Sequence, residues 1–488
     1  MYYKPILNRC EILSIFTSVF SCLNLSKERR ECELKMKLFV RDKKFYKTLL
    51  VLAVPIALQS LITVGVNMMD NIMLGRLGEV KMSGVTLANN FISIFQCCCM
   101  GFGMGASVLT SRYWGMKNLE SLKKAVALML RGVFILASIF ALATLFMPDL
   151  IMSLYTNEAE VVASGVSYFI ISIPCYFMLG FSLTTSLVLR SVGKANIPLF
   201  SSIFAFFLNI FFNWVFIFGN LGAPRMEVRG AALGTLIARV FEFCFIMGYF
   251  FFKEKNIKMK IRNIFMKCSD LLGEYIKIAI PVLISDTLLG IGMSAVAVVM
   301  GHIGSTFVAA NAITAITQQL STVVIQGLSQ ASCIVTGNTL GEGDADKAQA
   351  QGVTLAVLGF IVGAIGGVIV LILKNPIISL YNITDETRAL AGELMNAVGL
   401  VIVFQTMNSL LTKGLLRGGG DTRFLMVADI LFLWCVSIPL GALAGLVWHW
   451  SGFMIFICLK LDQFIKAIWC LWRLKSRKWI KKIKVAGE

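Results

Sequence analysis

Residues 55–78 read PIALQSLITVGVNMMDNIMLGRLG, and residues 281–304 read PVLISDTLLGIGMSAVAVVMGHIG. Both open on a proline, run through about 20 mainly apolar residues, and close on two glycines three apart. A run of that length matches the thickness of a hydrocarbon core. The offset between the two stretches is 226 (281 − 55), and it recurs along the chain. It carries Thr110 and Gly115 in LTSRYWG onto Thr336 and Gly341 in VTGNTLG, and Ser153-Leu154-Tyr155 onto Ser379-Leu380-Tyr381. At one residue more, LRSVGK from Leu189 meets LRGGGD from Leu416. Self-similarity over so many landmarks predicts two copies of one structural unit.

Working outward, apolar runs of spanning length lie near 49–74, 83–110, 125–147, 161–187, 197–218 and 229–252 in the first unit. In the second they lie near 276–300, 306–336, 349–373, 389–412, 424–447 and 451–472. Such runs are helices rather than the alternating strands of a membrane barrel. Six spans per unit bring both units in from the same face, a parallel repeat about an axis along the membrane normal. Repeats of this kind hold a substrate cavity between two bundles.

The expected fold is therefore an all-α polytopic membrane protein with twelve transmembrane helices in two six-helix lobes. The N-terminal lobe covers 45–252, a linker 253–275, and the C-terminal lobe 276–473. An extension, 1–44, and a basic tail, 474–488, flank them. A composition of 57% hydrophobic and 15% charged residues, with a mean hydropathy of +0.79, excludes a soluble domain of this length.

The net charge of +18 is a topology signal, because 35 of the 45 Lys and Arg fall in the N-terminal segment, the even-numbered loops and the tail. Positive loops stay cytoplasmic. Both termini are expected inside the cell membrane, and nucleic acid is not an expected partner. Within the extension, Ile12–Leu25 is too short to span, and Met36 stands as the expected start. The 13 cysteines and two histidines have no zinc-site spacing. No phosphate loop or catalytic constellation occurs, so neither an enzyme, a cofactor nor a resident metal is expected, and transport must draw on an ion gradient.

Polar residues inside spans mark the faces that avoid lipid. Gln59, Thr63, Asn67 and Asp70 share one helical face, starting just after Pro55, a candidate hinge. Asn89, Ser93 and Gln96 mark the second span, and Ser202, Asn209 and Asn213 the fifth. Asn311, Thr314, Gln318, Thr322 and Gln326 mark the eighth, and Gln405 the tenth. Five stripes point to a wet cavity. Among mid-span charges, Arg239 and Glu242 are expected to pair structurally, and Asp462 with Lys460 and Lys466 to snorkel. Asp286 is a possible secondary acid. Asp70 has no base within a turn and is the candidate titrating group.

Pro55 with Asp70, DNIMLGRLGE from Asp70, LTSRYWGMKN, LRSVGKANIP, the Asn209 and Asn213 pair, RGAALGTLIARVFE from Arg229 and LRGGGDTRF together resemble the multidrug and toxic compound extrusion (MATE) family, over roughly 45–475. The resemblance implies an antiporter that expels small cationic, amphipathic organic compounds in exchange for H⁺ or Na⁺. It places Asp70 at the coupling position, with Asn209, Asn213 and Thr235 as the polar groups around it. Some members carry a second aspartate where this chain has Asn213, and both coupling ions stay open. A monomer in the lipid bilayer is expected. The rival readings are a lipid-linked oligosaccharide flippase of the same superfamily and a membrane receptor or channel.

Overall fold

The computed structural model describes residues 39–379, 381 and 383–485. The expected start at Met36 and the segment Ile12–Leu25 lie outside them. Among the described residues the chain is helical throughout, with no strand. The N-terminal lobe holds α1 (Lys43–Gly75), α2 (Glu79–Gly115), α3 (Leu119–Phe146), α4 (Ala159–Ser191), α5 (Asn196–Phe218) and α6 (Val228–Lys253). The C-terminal lobe holds α7 (Ser269–Ile303), α8 (Ser305–Gly341), α9 (Ala345–Ser379), α10 (Asp385–Leu416) and α11 (Thr422–Val447). The last span, α12, comes in two pieces, Gly452–Leu459 and Leu461–Lys475.

Local chemistry sets the helix ends. Asp42 caps α1 by accepting from the Lys44 N–H at 2.8 Å, and Asn118 caps α3 through Ser121 N–H at 2.9 Å. Gly78 (φ 101°) and Gly304 (φ 151°), which close the two quoted stretches, take backbone angles that a side chain would strain. Several helices run well past their predicted apolar limits. α2 and α8 each have 37 residues, because the polar turns at their ends find partners at the lobe contact and keep the helix going.

The twofold repeat is visible in the packing. α2 and α8 cross where Gly115 and Gly341, related by 226 (341 − 115), lie against each other. A Cβ on Gly115 would sit 2.1 Å from the Asn338 carbonyl oxygen, and one on Gly341 2.1 Å from that of Arg112. Arg112 and Asn338 are themselves 226 apart, so one contact is made twice about the pseudo-axis. The same holds higher up, where Gly101 meets Leu283 of α7 and Gly327 meets Ala57 of α1. The Gly115–Gly341 contact lies where α2 and α8 end, at the basic-loop end of the bundle, and the other two lie about four turns deeper. Glycine lets the backbones approach closely enough for dispersion to hold helices together without a hydrophobic drive.

Four basic side chains depart from the sequence reading. Arg112, Arg190 and Arg417, assigned to loops, lie buried inside helix ends, and Lys466 is 2% exposed. Lys466 does not snorkel. It bridges Asp429 of α11 at 2.9 Å and Asp462 at 3.1 Å, and Asp462 is equally buried. A buried lysine between two carboxylates is held by their charge and not by access to water. Beside them, the Asp462 N–H donates to Ser437 Oγ at 2.6 Å rather than to a carbonyl of its own helix, at the break that splits the expected single span 451–472.

These charges follow the repeat. Arg190 and Arg417 are 227 apart, as are Arg239 and Lys466. The Gln59–Ser202 hydrogen bond at 2.9 Å and the Ser285–Asp429 hydrogen bond at 2.5 Å occupy matching places.

Candidate functional site

α1, α2, α4, α5 and α6 enclose a cavity of about 350 Å³ within the N-terminal lobe. Three stripes from the sequence face it: Gln59, Thr63, Asn67 and Asp70 from α1, Asn89, Ser93 and Gln96 from α2, and Ser202 with Asn209 from α5. Thr235, Arg239 and Glu242 of α6 and Tyr168 of α4 complete the polar wall. The period-four spacing turns one face of α1 inward, and Pro55, buried within that helix, lies one turn before Gln59. The structure does not bring Asn311, Gln318, Gln326 or Gln405 of the C-terminal lobe onto this wall. Gln326 is exposed and the other three half-buried.

Asp70 sits at the centre of an amide cluster. Asn213 Nδ2 donates to Asp70 Oδ1 at 2.6 Å and to Asn209 Oδ1 at 3.3 Å, while Asn209 Nδ2 donates to Thr235 Oγ1 at 3.4 Å. Asn213 Oδ1 is buried without a partner. The cluster thus offers a carboxylate, two amide oxygens and a hydroxyl to a hard cation, and these are the donors such ions take. No group of three or more His, Cys, Asp or Glu stands close enough to hold a metal among the described residues. Arg239 Nη1 is bound to Glu242 Oε2 at 2.6 Å, so of the three charges in the wall only Asp70 is left without an opposite partner. Asp70 has no ion-pair partner among the described residues.

Asp286 is differently placed. It lies on α7 in the other lobe, paired with Arg417 at 3.0 Å. Sequence reasoning also missed Arg190, which donates to Gln59 Oε1 at 2.5 Å and to Gln330 Oε1 of α8 at 2.5 Å. It thereby joins the floor of the cavity to the other lobe. The signal was present in LRSVGK, where Arg190 precedes the terminal glycine by only three residues, but a helix end does not reveal that it is buried.

The MatE family model matches residues 55–215 and again 281–443, two copies at the offset read from the sequence. The chain belongs to the MatE family. Among curated relatives, the probable multidrug resistance protein NorM of Thermotoga maritima is 25% identical over 90% of this chain and 96% of its own length. The multidrug resistance protein MdtK of Yersinia pseudotuberculosis is 24% identical over 84% of this chain and 92% of its own. A crystal structure of MATE in complex with MaL6 superimposes with a TM-score of 0.80 at 19% identity, covering 88% of this chain and 97% of that one. As a MatE protein with the fold of twelve transmembrane helices, the chain is a multi-pass membrane transporter and not an enzyme.

Proposed function

We propose that this chain is a secondary antiporter that exports cationic or amphipathic organic compounds in exchange for H⁺ or Na⁺ by alternating access. The observation that carries the reading is the N-lobe cavity, with one unpaired carboxylate among amides. That carboxylate favours a cation, and the Phe206, Ile62 and Leu179 surfaces of the wall suit an apolar body. The names of the NorM and MdtK relatives support the multidrug class. A flippase cavity would receive a polyanionic headgroup, and a wall carrying Asp70 and Glu242 with Arg239 alone opposes that charge.

The lobes meet at the basic-loop end. With that end cytoplasmic, the conformation is outward-facing, and both termini are inside. Cysteine labelling tests the orientation in a background without reactive thiols. Leu154→Cys, 79% exposed, should label from outside intact cells, and Lys267→Cys only after permeabilisation. The reverse pattern would invert the topology.

Coupling is tested by dye efflux from vesicles with a Na⁺ or an H⁺ gradient imposed separately. One of the two should drive uphill efflux. Flux that only dissipates a dye gradient, under either ion, would make the protein a passive channel. In the same assay Asn213→Ala should lower coupled efflux about tenfold. It removes a hydrogen bond to a charged group, an interaction of about 1.5–3 kcal/mol. An unchanged rate would remove Asn213 from the coupling site.

A further inference from the structure

A second pocket, of about 560 Å³, opens at the basic-loop end of the C-terminal lobe. Its walls are the start of α7, the turn from α10 into α11, the end of α12 and the segment that follows. Five cations line it, Lys277, Arg423, Arg473, Lys481 and Lys482, against two acids, Glu274 and Asp421. Asp421 is already taken by Arg473 at 2.7 Å and Lys481 at 3.5 Å. Arg423 and Lys482 are exposed and have no ion-pair partner among the described residues. Arg112 Nη2, buried and without a hydrogen-bond partner, lies 3.7 Å from where a Cβ would stand on Gly420, a lining residue. The pocket is therefore an excess of positive charge awaiting an anion.

Its level in the membrane narrows the choice of anion. Arg473 lies over the Phe424 ring at 4.5 Å, and Phe424 stacks on Trp469 at 5.8 Å. Trp469 touches Trp472, which is 59% exposed. Exposed tryptophans at a helix end settle at the headgroup level, and basic side chains just beyond them meet lipid phosphates. Through Phe424 and Arg473, both of which line it, the pocket adjoins these tryptophans.

The segment after α12 spans both lobes. Trp479 is fully buried and donates to Gln349 Oε1 at 2.9 Å, and the Lys481 N–H donates to the Gly419 oxygen at 3.0 Å. From the N-terminal lobe, Arg112 Nη1 donates to the Lys481 oxygen at 2.5 Å and Tyr113 Oη to the Lys484 oxygen at 2.7 Å. We propose that this pocket binds the phosphate-bearing headgroup of an anionic membrane lipid, which ties the C-terminal segment to the start of α7 and so favours contact between the lobes at this end. The proposal is independent of the substrate and of the coupling ion.

Native mass spectrometry and thermal unfolding of the full chain in detergent test it. The probes are short-chain phosphatidylglycerol, phosphatidylcholine of the same chain length, and inorganic phosphate. Phosphatidylglycerol should bind saturably and raise the unfolding temperature, and the other two should not. Arg423→Ala with Lys482→Ala should weaken that binding at least about tenfold. Lys260→Ala with Lys267→Ala, an equal charge loss at exposed positions of the 253–275 segment, should leave it unchanged. A saturable response to inorganic phosphate alone would make the pocket a free-anion site and overturn the lipid assignment. Equal binding of both lipids, or equal loss in the two double variants, would overturn the site itself.

Discussion

Asp70→Asn should leave the protein inserted and folded but abolish gradient-driven efflux. The amide introduced has the shape of the carboxylate and keeps an oxygen for Asn213 Nδ2, now 2.6 Å from Asp70 Oδ1. Only the charge is lost. Without it the cluster cannot exchange a proton, and it offers a cation three amide oxygens and a hydroxyl with no formal charge to balance the ion. A ligand shifts an equilibrium between conformations only by its difference in affinity for them, so an ion that binds neither state cannot drive the change. The measurement is dye efflux from vesicles under the gradient that drives the parent, alongside binding of the dye to the purified protein. Binding should survive in part because the apolar surfaces of Phe206, Ile62 and Leu179 remain in the wall. Parental efflux in the variant would remove Asp70 from coupling, and Asp286 would be tested next.

The second large effect is expected at the pseudo-axis. Gly341→Ala places a methyl group 2.1 Å from the Arg112 carbonyl oxygen, and that obstacle is backbone, which cannot turn aside. Its neighbour Gly337 is as tight, with a Cβ position 2.2 Å from Ser111 Oγ, so α8 cannot slide to make room. The lobes must part at this end. Efflux should fall more than tenfold with expression near normal, because the bundles themselves are untouched. A cysteine at Ser111, a position now fully buried, should become open to a water-soluble maleimide in the variant and stay protected in the parent. Parental efflux with the thiol still protected would mean that the helices absorb the methyl group without separating.

Much of this architecture could be read from the chain because the relevant signals are periodic. A helix repeats every 3.6 residues, so Gln59, Thr63, Asn67 and Asp70 had to share a face. The 226-residue offset had to mean two like bundles. What the sequence could not yield is the choice of partners across helices. The i, i+4 relation of Asp462 and Lys466 is legible, but Asp429, which completes their bridge, lies on another helix, and nothing local points to it. The break at Lys460 carries no proline or glycine. It coincides with the tertiary bond from the Asp462 N–H to Ser437. Arg112, Arg190 and Arg417 looked like loop charges because each stands near a terminal glycine. Their burial depends on the carbonyls, amides and carboxylate that the facing helices happen to present.

The matched cations have a consequence for how labour is divided between the halves. Each lobe has the same two positive anchors, Arg190 and Arg239 in one and Arg417 and Lys466 in the other. Among the described residues each of the buried mid-span acids of the C-terminal half is held in an ion pair, Asp286 with Arg417, and Asp429 and Asp462 with the Lys466 they share. In the N-terminal half Asp70 is met only by an amide. One copy of the ancestral unit has been wired as a chassis whose charge is fixed, and the other as an engine whose charge can change. A chimera built from two C-terminal halves would hold each of these acids in an ion pair and have no free carboxylate to drive it. One built from two N-terminal halves would hold two engines and lose the rigid partner against which either could work.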